Sequence, residues 1–186
     1  DAPSCEGFLY PDTYIFLTSY TEKQIIDKMV NQFLYTYRNF IDDKANLEGL
    51  GINEVVTLAS IIQGEAAKKF EMNMISSVYH NRLDKNMLLQ ADPTIQYIVP
   101  GGNRRLWNKD LKINSPYNTY IHKGLPPGPI SNPGLSALIA AVNPEKSDYL
   151  YFVSNTEGGH IFSRTIREHK NAVKIFKRKR IQNKYK

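Results

Sequence analysis

A single cysteine, Cys5, is all that this chain of 186 residues contains. It can form no internal disulfide, and zinc sites built on paired cysteines are excluded. Long apolar runs are also missing. The longest candidate, residues 135–142, falls far short of the roughly 18–20 residues needed to cross a bilayer. The 11 glycines and 10 prolines are too few for a collagen-like or low-complexity chain, and a hydrophobic share of 41% excludes wholesale disorder. Four histidines, His80, His122, His160 and His169, are scattered without metal-ligand spacing. No phosphate-binding GxxxxGK[ST] loop and no GxSxG elbow occurs. No metal and no cofactor are therefore expected.

Acidic residues are absent from positions 174–186, which carry seven basic side chains. The net charge is +6, so the rest of the chain sums to about −1. Nucleic-acid binding calls for basic residues interleaved with aromatics across a fold, and that pattern is missing. A basic tail of this kind is either a solvated helix end or a patch for anionic lipid or acidic wall polymer.

What is present reads as an α+β domain with a small antiparallel sheet and packed helices. Residues 6–15 suggest two short extended pieces around a Pro-Asp turn. Residues 21–41 read as a helix capped by Thr21, and residues 42–52 as a connection. A second helix starts after Asn53, with a break or continuation near residues 68–73 before further apolar residues up to Leu83. Residues 88–99 look extended, interrupted at Asp92-Pro93, and 100–116 form a loop. A stiff Pro/Gly loop at 124–129 precedes a helix opened by Pro133. Residues 149–154 and 160–163 form a hairpin about a turn at 156–159, and a helix from Thr165 runs into the basic tail. The chain divides into an N-terminal strand-and-helix segment (1–52), a core (53–173) and the tail (174–186).

Glu65 is the residue most suggestive of chemistry. It follows Leu58, Ile61 and Ile62 by seven, four and three positions, which puts it on the apolar stripe of its own helix. A carboxylate among apolar neighbours is disfavoured as an anion, so its pKa rises toward the range of a general acid. The same spacing also fits a stripe that opens to solvent at its end, or a glutamate paired with arginine. Glycoside cleavage uses such an acid, usually with a second carboxylate. Asp92, Asp84, Asp110, Glu71 and Asp148 are the candidates, with Asp92 the best placed; an Asx-type turn cap is its structural alternative. His160, after the hairpin turn, is either a polar site residue or a hairpin cap. Tyr117, Asn118, Thr119 and Tyr120 form a polar-aromatic block suited to stacking on sugar rings and bonding their hydroxyls.

The segments EGFLYPDTY (6–14), LASIIQGEA (58–66), HNRL (80–83), LQADPTIQY (89–97), SPYNTY (115–120), GLPPGPISNPG (124–134) and DYLYFVSNTEGGHIFSRT (148–165) together resemble the YceG-like family of endolytic murein transglycosylases. The resemblance implies an enzyme that cuts peptidoglycan strands between N-acetylmuramic acid and N-acetylglucosamine. Glu65 would be its catalytic acid; many relatives carry a second glutamate two positions earlier, where this chain has Gln63. Gln90, Asp92, Thr94, Tyr117, Asn118, Thr119 and Tyr120 would line the groove. The resemblance also implies a single N-terminal membrane anchor, absent from this chain, and action on the outer face of the bacterial cytoplasmic membrane. Glycan strands are the expected partner, with cell-wall synthesis enzymes as candidates beside them, and the chain itself is expected to be monomeric. The rival readings are a muramidase that uses water with Asp92 as base, and a non-catalytic glycan-binding module.

Overall fold

The computed structural model describes residues 4–102 and 104–182. Helix α1 (Glu22–Phe40) is followed by the short α2 (Asp42–Leu47) and by α3 (Ile52–Glu65). A 3-10 turn at Lys69–Glu71 leads into α4 (Met72–Asp84); α5 (Asp92–Ile98), a second 3-10 turn (Asp110–Lys112) and α6 (Leu135–Ala141) follow. A hairpin of β1 (Tyr151–Ser154) and β2 (His160–Ser163) precedes α7 (Ile166–Gln182). The strands are antiparallel, with Tyr151 opposite Ser163 and Ser154 opposite His160. The fold is α+β, as the sequence pattern indicates.

Helix α3 is the axis of the molecule. Every residue from Val55 to Ile62 is buried, Thr57 and Ser60 included, so the helix is enclosed all round rather than along one stripe. Phe33 and Tyr37 of α1, Ile75 and Tyr79 of α4, and Leu138 of α6 close over it. Ser60 serves two partners: its hydroxyl donates to the Thr57 carbonyl (2.7 Å) and accepts from the Ile130 N–H (3.0 Å). That second bond fastens the end of the Pro/Gly loop to the core.

Several local expectations are corrected. Residues 6–15 form no strand; Phe8 instead turns inward and meets Phe33 edge-on, centroids 5.0 Å apart. Residues 42–47 are helical rather than a plain connection. The cap of α3 is Gly51, not Asn53, because the Glu54 carboxylate reaches back to the Gly51 N–H (2.8 Å). Residues 92–98 are helical rather than extended. Pro93 lies in the first turn of α5, where its missing N–H costs nothing. Helix α6 starts at Leu135, two residues later than Pro133 suggested, with Gly134 as its cap. The break after α3 is real, and Thr21 caps α1 through a capping box with Gln24. Helix α7 runs through position 174 without interruption.

Candidate active site

Helix α3 stops at Glu65, and α5 starts directly across from that end. The close approach depends on Gly64: a Cβ there would fall 2.7 Å from the Pro93 Cβ. Between the two helices and Ile130–Ser131 opens a cleft of about 490 Å³, lined by Ser60, Gly64, Glu65, Asp92, Gln96 and Tyr97 among others.

Glu65 is partly exposed to this cleft while the rest of its surroundings are protein. The Tyr79 hydroxyl donates to Oε1 at 3.0 Å. Burial pushes the carboxyl up to about 7, and the negative charge of Asp92 adds to the rise. The Tyr79 hydroxyl, the Asp92 N–H and the Arg82 guanidinium act in the opposite direction, and burial wins. No basic residue occupies the last turn of α3, so nothing there compensates a carboxylate at the negative end of the helix. The result is a carboxyl that holds its proton near neutral pH yet has donors ready for its anion. Such a group can give a proton and take one back.

Asp92 sits at the mouth of the same cleft and is exposed. Tyr120 donates to its Oδ1 at 2.5 Å, and burial and this bond together push the Tyr120 hydroxyl well above the usual phenol range. The other proposed carboxylates are committed elsewhere. Glu71 accepts from the His160 N–H (2.9 Å) and meets its ring Nδ1 (3.1 Å). Asp110 is held by Arg104 and by the Trp107 N–H, and Asp148 by Arg164. Asp84 borders a separate cleft with His80 and Ser147. His160 thus ties the hairpin to the start of α4 rather than facing the Glu65 cleft.

The seven expected groove residues divide. Gln90 and Asp92 are exposed, and Tyr117 and Tyr120 are half-buried. Thr94, Asn118 and Thr119 are enclosed and bonded within the protein, so they stand behind the wall and not on it. The Thr119 hydroxyl meets that of Thr94 (2.9 Å) and accepts from the Ala91 N–H (3.0 Å). The Asn118 amide donates to the carbonyls of Leu111 and Ile113. These three residues hold the 115–120 loop against the start of α5, which fixes Tyr120 beside Asp92.

Sequence reasoning overlooked Tyr79, Tyr97, Gln96 and Ser131. Tyr97 packs at a tilt against Tyr117 (centroids 4.9 Å) and donates to Glu6 (2.7 Å), so an aromatic wall links the cleft to the N-terminal segment. One signal for Tyr79 was available: a tyrosine on the buried face of a helix needs a partner for its hydroxyl. Among the described residues, no group of three His, Cys, Asp or Glu side chains is disposed to hold a metal ion.

Fold and site together define an α+β domain organised around one desolvated carboxyl at the end of its central helix. The chain belongs to the YceG-like family, whose model matches residues 1–175. It is 42% identical over 171 residues to an endolytic murein transglycosylase of Bacillus subtilis (strain 168), covering 90% of this chain and 46% of that protein. It is 36% identical over 183 residues to one of Streptococcus pneumoniae (serotype 2, strain D39), covering 90% of this chain and 32% of that protein. The crystal structure of a yceG-like protein from Listeria monocytogenes superposes with a TM-score of 0.83 at 43% identity, over 90% of this chain and 54% of that one. The chain thus spans about half or less of the length of these relatives.

Proposed function

We propose that this domain is a peptidoglycan lytic transglycosylase that cuts within glycan strands, with Glu65 as its one acid and base. The reading rests on a carboxyl raised to about 7 by burial while it faces an open cleft. Protonated Glu65 donates to the glycosidic oxygen as the bond to C1 of N-acetylmuramic acid breaks. The oxocarbenium-like centre is stabilised by the sugar's own acetamido group, so a second carboxylate is not required. The Glu65 anion, supported by the Tyr79 hydroxyl, then takes the proton of the C6 hydroxyl. That oxygen closes on C1 to leave a 1,6-anhydro end, and intramolecular attack outruns water because of its high effective molarity. The names of the relatives support this substrate, and it puts the work outside the cytoplasmic membrane. A membrane anchor and cell-wall synthesis enzymes as partners belong to the same proposal. Among the described residues no helix is long and apolar enough to cross a membrane.

The presence of Asp92 in the same cleft favours one rival, hydrolysis with Asp92 as base. Digestion of polymeric peptidoglycan followed by mass analysis of the ends separates the two. Anhydromuramic ends are expected, whereas reducing muramic ends would assign the reaction to water. Retention of glycan without any cut would leave a binding module.

Tyr79→Phe isolates the role of the hydroxyl. The ring keeps its edge contact with Phe152 (5.9 Å), but the Glu65 anion loses a donor. The carboxyl pKa then rises further, and the alkaline limb of the pH–rate profile moves up by roughly one pH unit. The maximal rate falls, because the first step must leave Glu65 as an anion that has one donor fewer. An unmoved limb would reduce Tyr79 to packing.

A further inference from the structure

Helix α7 carries seven basic side chains against a single acidic one. It packs on β1 and β2 through one face: Ala172 is buried, while His169, Val173 and Phe176 are half-buried. His169 stacks on Tyr151 with centroids 5.3 Å apart. A flank of the helix, turned about a third of the way round from the packed face, holds Ile166, Lys170, Lys174, Lys177, Arg178 and Ile181, all exposed and spaced by threes and fours. The stripe is about 22 Å long at the rise of an α-helix. No acid interrupts it. The only acidic residue of the helix, Glu168, is turned to the helix start, where it accepts from the Arg164 and Thr165 N–H groups. The ion pair of Lys179 with Glu157 (3.6 Å) lies off the stripe.

We propose that this face of α7 is a docking surface for an anionic membrane, laid flat against phosphate headgroups. The arrangement of the apolar residues decides for a membrane over a soluble polyanion. Ile166 and Ile181, 49% and 58% exposed, sit at either end of the cationic row, where a headgroup–acyl boundary takes both kinds of side chain. A linear phosphate polymer offers nothing to the isoleucines. The body is near neutral, so the charge asymmetry also orients the molecule, stripe first, toward a negative surface.

The test is sedimentation of the whole chain with lipid vesicles at low salt, using phosphatidylcholine alone and with an added third of phosphatidylglycerol. Binding is expected only to the anionic vesicles and is lost at high salt. The double variant K170Q/K174Q weakens it about thirtyfold, at roughly fivefold per charge removed. The control K23Q/K44Q removes the same charge from exposed positions on α1 and α2 and leaves binding within about twofold. Equal loss in both variants would show that net charge and not the stripe is responsible, and would overturn the proposal. So would equal binding to neutral vesicles, no binding to anionic ones, or capture of soluble polyphosphate without vesicle binding. All four altered positions are exposed, and an unchanged melting temperature verifies that each variant is folded.

Discussion

Glu65→Gln is expected to abolish the release of fragments from peptidoglycan, a loss of at least about a thousandfold in rate, as removal of a general acid that also serves as base requires. The amide preserves size and an oxygen to accept from Tyr79, so the cleft keeps its shape. Glycan binding should persist, and a pull-down with insoluble peptidoglycan measures it in the same preparation. Residual cutting near the wild-type rate would remove Glu65 from the chemistry. It would turn attention to Asp92, the other carboxylate in the cleft.

The same variant carries a stability signature with a definite sign. The folded carboxyl titrates at about 7 against an ordinary value of 4.5. Between those values the native state holds a proton that the unfolded chain has released. Wild-type stability is therefore fully present below about 4.5 and declines as pH rises to 7, by up to about 3 kcal/mol. Glutamine has no proton to lose. The melting temperature of Glu65→Gln relative to wild type should thus climb by roughly 6–12 °C from pH 5 to pH 8, read by calorimetry or circular dichroism. A difference that stays flat with pH would mean that the native carboxyl is ionised throughout, and an acid role could not survive that result.

The position of Glu65 was legible because helical offsets and an apolar run are local properties. The hairpin was legible for a similar reason: alternation flanks a glycine-containing turn. Helix α5 was not. An Asp-Pro pair interrupts a strand as readily as it opens a helix, and the choice is made by Gly64, which lets Pro93 settle on α3. The polar loop was half legible. Tyr120 does stand at the cleft beside Asp92, whereas Asn118 and Thr119 are buried. Their side chains fit an exposed sugar-binding loop equally well in sequence. Only the meeting of Thr119 with Thr94, 25 residues earlier, reveals them as internal braces. Tyr79 was hidden in the same way, since nothing local reports that a hydroxyl 14 residues on reaches Glu65.

Arg82 is the position where a single change should cost most stability. Its guanidinium is nearly enclosed, with 8% of the residue exposed, and it pairs with no carboxylate among the described residues. It donates instead to three carbonyls: Leu150 through Nε (2.6 Å), and Leu88 (3.1 Å) and Leu89 (2.8 Å) through Nη1. One side chain thereby joins α4 to the lead-in of β1 and to the segment that delivers Asp92, and it lies over the Tyr151 ring at 5.1 Å. Burial lowers its pKa, but a guanidinium stays charged at any working pH. Arg82→Met fills the space and orphans all three acceptors, at a cost on the order of 4 kcal/mol and a fall in melting temperature of about 8–16 °C. Arg82→Lys retains the charge without the planar fork and should recover only part of the loss. In both variants the link between α4 and residues 88–89 is weakened, so KM for glycan should rise even where the protein is folded at the assay temperature. Methionine and lysine variants as stable as wild type would show that backbone packing alone holds the 88–92 segment in place.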